Sequence, residues 1–251
     1  MSTNLQGKVI AITGAGGGMG LETAKMCAAR GAKISVCDLH EPTLQTLSKE
    51  IISKGGEVMF QVVDITKEDQ VNDWIEKTVQ RFGPLDGAVN LAGILGRKFR
   101  KCNTTNQDTE DWKLVLDINL NGVMYSQRAQ LKHMKDRGSI VNAASVAGWQ
   151  GTPDGCAYGA SKFGVIGLSK CAAVDVGPTR GIRVNAIAPG TIDTPMYQKV
   201  IEIQGKPVER KQHIKRDGRA DEIASLCCWL LCDESQFITG SVQTIDGGWC
   251  C

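Results

Sequence analysis

The 251-residue chain carries 29 Lys+Arg against 27 Asp+Glu, a formal net charge of +2, with 42% hydrophobic and 22% charged residues. Without a clustered cationic face, that balance excludes nucleic acid or an anionic membrane as the main partner. Glycine is the departure: 29 residues, against a usual share of ~7%, with only seven Pro, which implies many close approaches of backbone to backbone or to a ligand.

No apolar run reaches the ~18 residues of a membrane span, and the opening MSTNLQGKVIAITG lacks a signal-peptide pattern, so a cytoplasmic enzyme is expected. The ten Cys contain no C-x-x-C pair and there are only three His, so no metal site is expected. Most thiols are read as small buried hydrophobes; the terminal Cys250-Cys251 pair is the exception.

In chain order, β-rich apolar runs at 8–13, 32–37, 57–63, 86–92, 138–145, 182–188 and 241–246 alternate with amphipathic stretches at 18–30, 41–54, 67–82, 109–135, 157–176 and 220–232. The alternation predicts a single doubly wound α/β domain of the Rossmann type over 1–251, a seven-stranded parallel sheet with helices on both faces. The least regular stretches are 93–108 and 190–218. Ligands in such a sheet bind outside the carboxyl ends of the strands.

The first strand end carries Thr13-Gly14-Ala15-Gly16-Gly17-Gly18-Met19-Gly20 before a helix. No register fits G-x-G-x-x-G; T-G-x-x-x-G-x-G fits, through Gly14, Gly18 and Gly20. Glycines there allow a tight turn and let backbone N–H groups and a helix N-terminus meet a pyrophosphate. A turn without a ligand is the plainer alternative. Asp38 ends the second strand, where a carboxylate accepts from ribose hydroxyls and repels a 2′-phosphate, favouring NAD over NADP; it could also cap the 41–54 helix.

Tyr158-Gly159-Ala160-Ser161-Lys162 puts a phenol and an ammonium on one helical face. A phenol with a pKa near 10 needs several units of depression to act as a base at neutral pH, each worth ~1.4 kcal/mol, and a neighbouring cation can supply it. The alternative is a surface pair with Lys162 in solvent. Ser145, at the end of the fifth strand, could bind a substrate oxygen. Asn90-Leu91-Ala92-Gly93 ends the fourth strand, Asn119 lies in the next helix, and Pro189-Gly190-Thr191-Ile192 ends the sixth.

In this order and spacing, TGAGGGMG, Asp38, Asp64, NLAG, Asn119, Ser145, YGASK, PGTIDTP and FITGSVQTIDGG resemble the short-chain dehydrogenases/reductases over almost the whole chain. The resemblance implies a tetrad of Asn119, Ser145, Tyr158 and Lys162. Tyr158 would transfer the hydroxyl proton while hydride moves to or from the nicotinamide. Lys162 would hold the nicotinamide ribose and lower the phenol pKa, Ser145 would orient the substrate oxygen, and Asn119 would hold a relay water. It also implies cofactor contacts from Met19 in the glycine turn, Asp64 and Ile65 at the adenine, Asn90, Ala92 and Gly93 at the adenosine ribose, and Pro189, Gly190, Ile192 and Thr194 at the nicotinamide. A non-redox dinucleotide-binding protein would be marked by a broken tetrad, and this one is intact.

Ile94, Leu95, Trp149, Gln150 and the 193–215 stretch, which is similar to the family's mobile lid, mix apolar and polar surface. That suits a bulky, mostly apolar secondary alcohol or ketone. Arg97-Lys98-Phe99-Arg100-Lys101 is read first as a solvated loop and second as a contact for an anionic substrate group or partner. The overall character is most similar to fungal natural-product tailoring dehydrogenases of secondary metabolism, and 220–246 resembles the family's oligomer contacts, implying a homotetramer or dimer.

Overall fold

Short β-branched strands in the middle of the sheet carry apolar side chains on both faces, and both faces are covered. The computed structural model describes residues 4–205 and 211–251. Its main sheet contains β1 (Val9–Thr13), β2 (Lys33–Asp38), β3 (Glu57–Val62), β4 (Leu85–Asn90), β5 (Met134–Ala143) and β6 (Arg183–Pro189). Two short strands, β7 (Ile192–Asp193) and β8 (Gly218–Arg219), pair separately, and β9 (Val242–Ile245) completes the main sheet. All seven strands are parallel, in the order β3-β2-β1-β4-β5-β6-β9.

On one face Ile10, Ile12, Ile34 and Val36 pack with α1 (Gly18–Ala29), α2 (Glu41–Ser53) and α8 (Ala220–Leu231). On the other, Val9, Ala11 and Cys37 meet α3 (Glu68–Phe82), α5 (Gly122–His133) and α6 (Cys156–Arg180). The expected doubly wound parallel sheet is therefore present. Five of the ten cysteines are buried, Cys27, Cys37, Cys227, Cys228 and Cys232, fewer than expected.

Register brings the strand ends to one line. Thr13 lies opposite both Cys37 and Asn90, Asn90 opposite Asn142, Ala143 opposite Ile187, and Pro189 opposite Ile245. The order reverses between β1 and β4, which opens the crevice where such sheets bind ligands.

Three expected boundaries move. The 109–135 helix is really α4 (Thr109–Leu116), a π-helical turn at Asp117–Asn121, and α5, with β5 beginning already at Met134. The Arg180 guanidinium explains that early end: it donates to the Leu131 carbonyl at 2.8 Å and to the Met134 carbonyl, and pairs with Asp136. The same anchor holds α6 helical past Pro178 to Arg180, beyond the expected 176. Inside the irregular 190–218 stretch lies α7 (Pro195–Gln204), capped by Thr194 with Pro195 in its first turn. Residues 206–210 of that stretch lie outside the described residues.

Buried amides bind the centre of the sheet to its helices. Asn90 exchanges two hydrogen bonds with Gln130 and donates to Asn142, whose own amide donates to Gln127 at 2.7 Å and Ser169 at 3.0 Å. A fully satisfied network of this kind is costly to break, because each orphaned group keeps its desolvation penalty. Asn142→Ala should therefore lose about 3 kcal/mol of stability, read from urea unfolding. A loss below about 1 kcal/mol would show that the amides are replaceable by water.

Candidate active site

The glycine turn and β2 meet directly. An Asp38 carboxylate oxygen accepts the Gly16 N–H at 2.9 Å and the other accepts the His40 N–H at 3.0 Å. His40, not Asp38, is the cap residue of α2. A Cβ on Gly20 would lie 2.0 Å from the Gly14 carbonyl oxygen, so that position tolerates no side chain, and one on Gly16 would lie 2.5 Å from the Asp38 carboxyl carbon and so displace that carboxylate. Gly14, at φ 75°, would meet the Ala92 backbone at 2.6 Å. At Gly17 nothing lies within 4 Å, α1 has no side-chain cap, and no carboxylate stands in its first turn. The helix N-terminus thus opens onto clear space bordered by backbone N–H groups, which fits a dinucleotide pyrophosphate.

Asp64 turns its carboxylate back onto Thr66, accepting from its N–H and hydroxyl, while Ile65 is buried against Gly122. The Asn90 side chain does not face this groove: both ends of its amide belong to the network beneath the sheet, leaving only its backbone at the strand end. Thr194 lies close to Gly18, whose added Cβ would meet its methyl at 3.2 Å, and its hydroxyl caps α7.

Beside the groove is a cavity of about 640 Å³ whose wall includes Met19, Gly93, Ser145, Tyr158, Lys162, Pro189, Gly190, Ile192 and Thr194, so nine of the expected site residues meet here. Ser145 follows the end of β5 and caps the turn at Val146–Gly148. Tyr158 and Lys162 project from the first turns of α6. Lys162 is not in solvent: it is 5% exposed, and its Nζ donates to the Ala143 carbonyl at 2.7 Å and lies 5.6 Å from the Tyr158 ring centre.

Burial pulls the Lys162 pKa down to about 8. Desolvation pushes the Tyr158 phenol above its ordinary value, and the hydrogen bond from Ser145 opposes this only in part. In the protein alone, the expected depression of the phenol is not what this environment produces.

Asn119, in the π-helical turn, accepts the Ile94 N–H and donates to the Ile94 carbonyl, both at 2.8 Å, and donates to Ser161 at 3.1 Å. Its carboxamide braces the strand-end corner at Gly93, where an added Cβ would meet Asn119 Oδ1 at 3.2 Å and Lys162 Nζ at 3.6 Å.

The substrate side differs from expectation in its membership. Leu95 and Gln150 line the cavity, whereas Ile94 and Trp149 are not among its lining residues; Trp149 is 45% exposed. The 97–101 run is not simply a solvated loop. Phe99 is buried and packs edge-on to Tyr158 at 5.8 Å, and Arg100 lies in the wall. An aromatic residue amid four cations was the available signal. Tyr197 and Val200 come from α7, which the Thr194-Pro195 start signal could have revealed. Trp249 also lines the cavity and has no comparable local signal.

Comparison with known proteins agrees with this arrangement. Residues 14–250 match the family described as enoyl-(acyl carrier protein) reductase. The chain is 43% identical to the short-chain dehydrogenase/reductase aba4 of Botryotinia fuckeliana, covering 97% of each. It is 35% identical to cyclohexanol dehydrogenase of an Acinetobacter species, covering 99% of this chain and 97% of the relative. A short-chain dehydrogenase of Burkholderia cenocepacia, solved in complex with NADP, superposes with a TM-score of 0.88 at 30% identity, covering 98% of this chain and 99% of the other. With a glycine turn opening onto a helix N-terminus and relatives alike over almost their full length, the chain belongs to the short-chain dehydrogenases/reductases.

Proposed function

We propose that the protein moves hydride between NAD and a secondary alcohol, or its ketone, on a bulky and mostly apolar small molecule. Oxidation of the alcohol is the leading direction, with carbonyl reduction served by the same residues. One observation carries this reading: Lys162 is buried, held to the Ala143 carbonyl, and set beside Tyr158 and Ser145 in one cavity wall. A helix-surface lysine has no reason to accept that desolvation.

The bound dinucleotide would supply the hydride acceptor or donor and, when oxidised, a positive charge. Its pyrophosphate would lie against Gly14–Gly20 and its ribose hydroxyls against Asp38; no Lys or Arg at 14–20 or 39 is present to attract a 2′-phosphate. Ala92, Gly93, Asp64 and Ile65 would border the adenosine, and Pro189, Gly190, Ile192 and Thr194 the nicotinamide. Ser145 orients the substrate oxygen through its hydroxyl, and Tyr158 takes the alcohol proton. Lys162 holds the ribose and favours the phenolate once protonated. The Asn119 carboxamide is fully engaged, so a relay water falls to its main chain while the side chain positions Ile94.

The chain acts as one catalytic unit in the cytoplasm, with 190–218 as its substrate lid, and assembles as a homotetramer or dimer. Exposed Phe163 and Val174 on α6 support assembly. Light scattering reads the mass directly, and a monomer at all concentrations would refute it. The cyclohexanol dehydrogenase relative supports an alicyclic alcohol.

Tyr158→Phe should lower turnover by about 10²–10⁴-fold while NADH fluorescence still reports binding; undiminished turnover would remove Tyr158 from the reaction. Asp38→Ala should cut the NAD-over-NADP ratio of kcat/KM by about tenfold or more, and an unchanged ratio would refute the ribose contact.

Lys162 gives a test independent of turnover. Its folded pKa of about 8 lies below the 10.5 of an unperturbed lysine, so folding penalises the charged form. Between those values the unfolded chain binds the extra proton, and stability rises with pH by up to about 3 kcal/mol. Below pH 8 both states are protonated and the penalty is complete. Urea unfolding of Lys162→Met across pH 7.5–10 should lack that rise, and a slope equal to the native protein's would mean that Lys162 is not desolvated.

A further inference from the structure

Arg100 is a cation in a cavity wall with few protein partners. Its Nη1 donates to the Pro153 carbonyl at 3.0 Å, while Nε is shielded from solvent and has no acceptor. The shielded Nε cannot itself meet a ligand, but Nη2 has no hydrogen bond among the described residues, and the outer end of a guanidinium is shaped to give two parallel hydrogen bonds to a carboxylate. Among the described residues no carboxylate forms an ion pair with Arg100; the Asp111 carboxylate is taken up by the Arg97 and Lys98 N–H groups instead. Asp154 also lines the cavity but meets Arg100 only along the backbone, its carbonyl accepting the Arg100 main-chain N–H at 2.8 Å.

The backbone is strained at that junction. Arg100 and Asp154 have φ of 64° and 53°, a region that residues other than glycine avoid and that persists where surroundings impose it, often at ligand sites. Placement relative to the reacting end is set by two aromatic steps. The guanidinium carbon lies 5.4 Å from the Phe99 ring centre, and that centre lies 5.8 Å from the Tyr158 ring centre. The cavity between is walled by Leu95, Tyr197 and Val200. Lys211, against Trp249 in the same wall, adds a second positive charge.

We infer that Arg100 is the anchor of a carboxylate subsite, so that the substrate is an amphipathic acid: a mostly apolar ring or chain with a secondary alcohol or ketone at Tyr158 and a carboxylate at Arg100. This rests on the hydride-transfer reading above for its reacting end, and on the cavity alone for its acid end.

The test is binding, not turnover. Protein saturated with NAD⁺ is titrated calorimetrically with cyclohexaneacetate, cyclohexanepropionate and cyclohexanebutyrate, and with the methyl ester of each. At least one acid should bind about tenfold or more tighter than its ester. Arg100→Gln should abolish the preference, and Arg100→Lys should keep part of it, because charge survives without the fork. Esters binding as well as acids, or a preference that survives in Arg100→Gln, overturns the subsite. So does tighter binding of acetoacetyl-CoA than of every acid, which would assign the basic loop to a carrier thioester. If the acid preference holds but no secondary alcohol reduces NAD⁺, the hydride-transfer reading alone fails. If alcohols are oxidised without any acid preference, the subsite alone fails.

Discussion

A single hydrogen bond, from the buried Lys162 ammonium to the Ala143 carbonyl, is the contact on which the arrangement of the site depends. It ties the first turns of α6 to the end of β5, which places Tyr158 opposite Ser145. The bond satisfies only one of three ammonium donors and brings no compensating carboxylate, so the charge remains expensive and its pKa falls. Such a group is held in place by the rest of the fold rather than stabilising it. The free energy comes from elsewhere, chiefly the two apolar layers that sandwich the sheet.

The buried amides show how the sheet end is kept rigid enough to bear that cost. Asn90 and Asn142 sit side by side on β4 and β5, and Gln127, Gln130 and Ser169 reach them from α5 and α6. Since α6 also carries Tyr158 and Lys162, the network fixes these two side chains relative to the strand ends. An apolar layer would bury the same area but would allow α6 to slide, because dispersion contacts are not directional.

Legibility in the sequence follows the range of the interactions involved. The glycine turn, Asp38, Ser145 and the Tyr158–Lys162 pair could be read because each is a local pattern at a strand end or on one helix face. Asn119 was found, but its π-helical turn was not, since a one-residue widening leaves the apolar period almost unchanged. The structural role of the Asn90 side chain was not legible, because the last residue of a strand has two faces, and only the partner Gln130, 40 positions away, shows which one it uses. Phe99 was hidden among cations, and Trp249 reaches the cavity only through the packing of the C-terminal segment.

That C-terminal segment explains why the substrate side resists reading from motifs. Gly190 at the end of β6 lies so close to Asp246 that an added Cβ would meet its Cα at 2.9 Å, and the Asp246 carboxylate accepts from the Gly248 and Cys250 N–H groups. The turn so formed accepts the Ile214 N–H at the Gly247 carbonyl, 2.9 Å away, and thereby anchors the base of the 211–218 segment. The wall on that side is thus assembled from Leu95, Phe99 and Arg100, from residues 150–154, from Tyr197, Val200 and Ile203 on α7, and from Lys211 and Trp249, so that its parts come from separate segments of the chain. The side proposed for the cofactor is set by register within one sheet, where spacing in sequence translates directly into spacing in space. The side proposed for the substrate is set by loops and α7 meeting at the cavity. In the proposed reaction, chemistry would therefore be confined to the sheet-built half of the cavity, and selectivity to the half whose parts can change without disturbing the register.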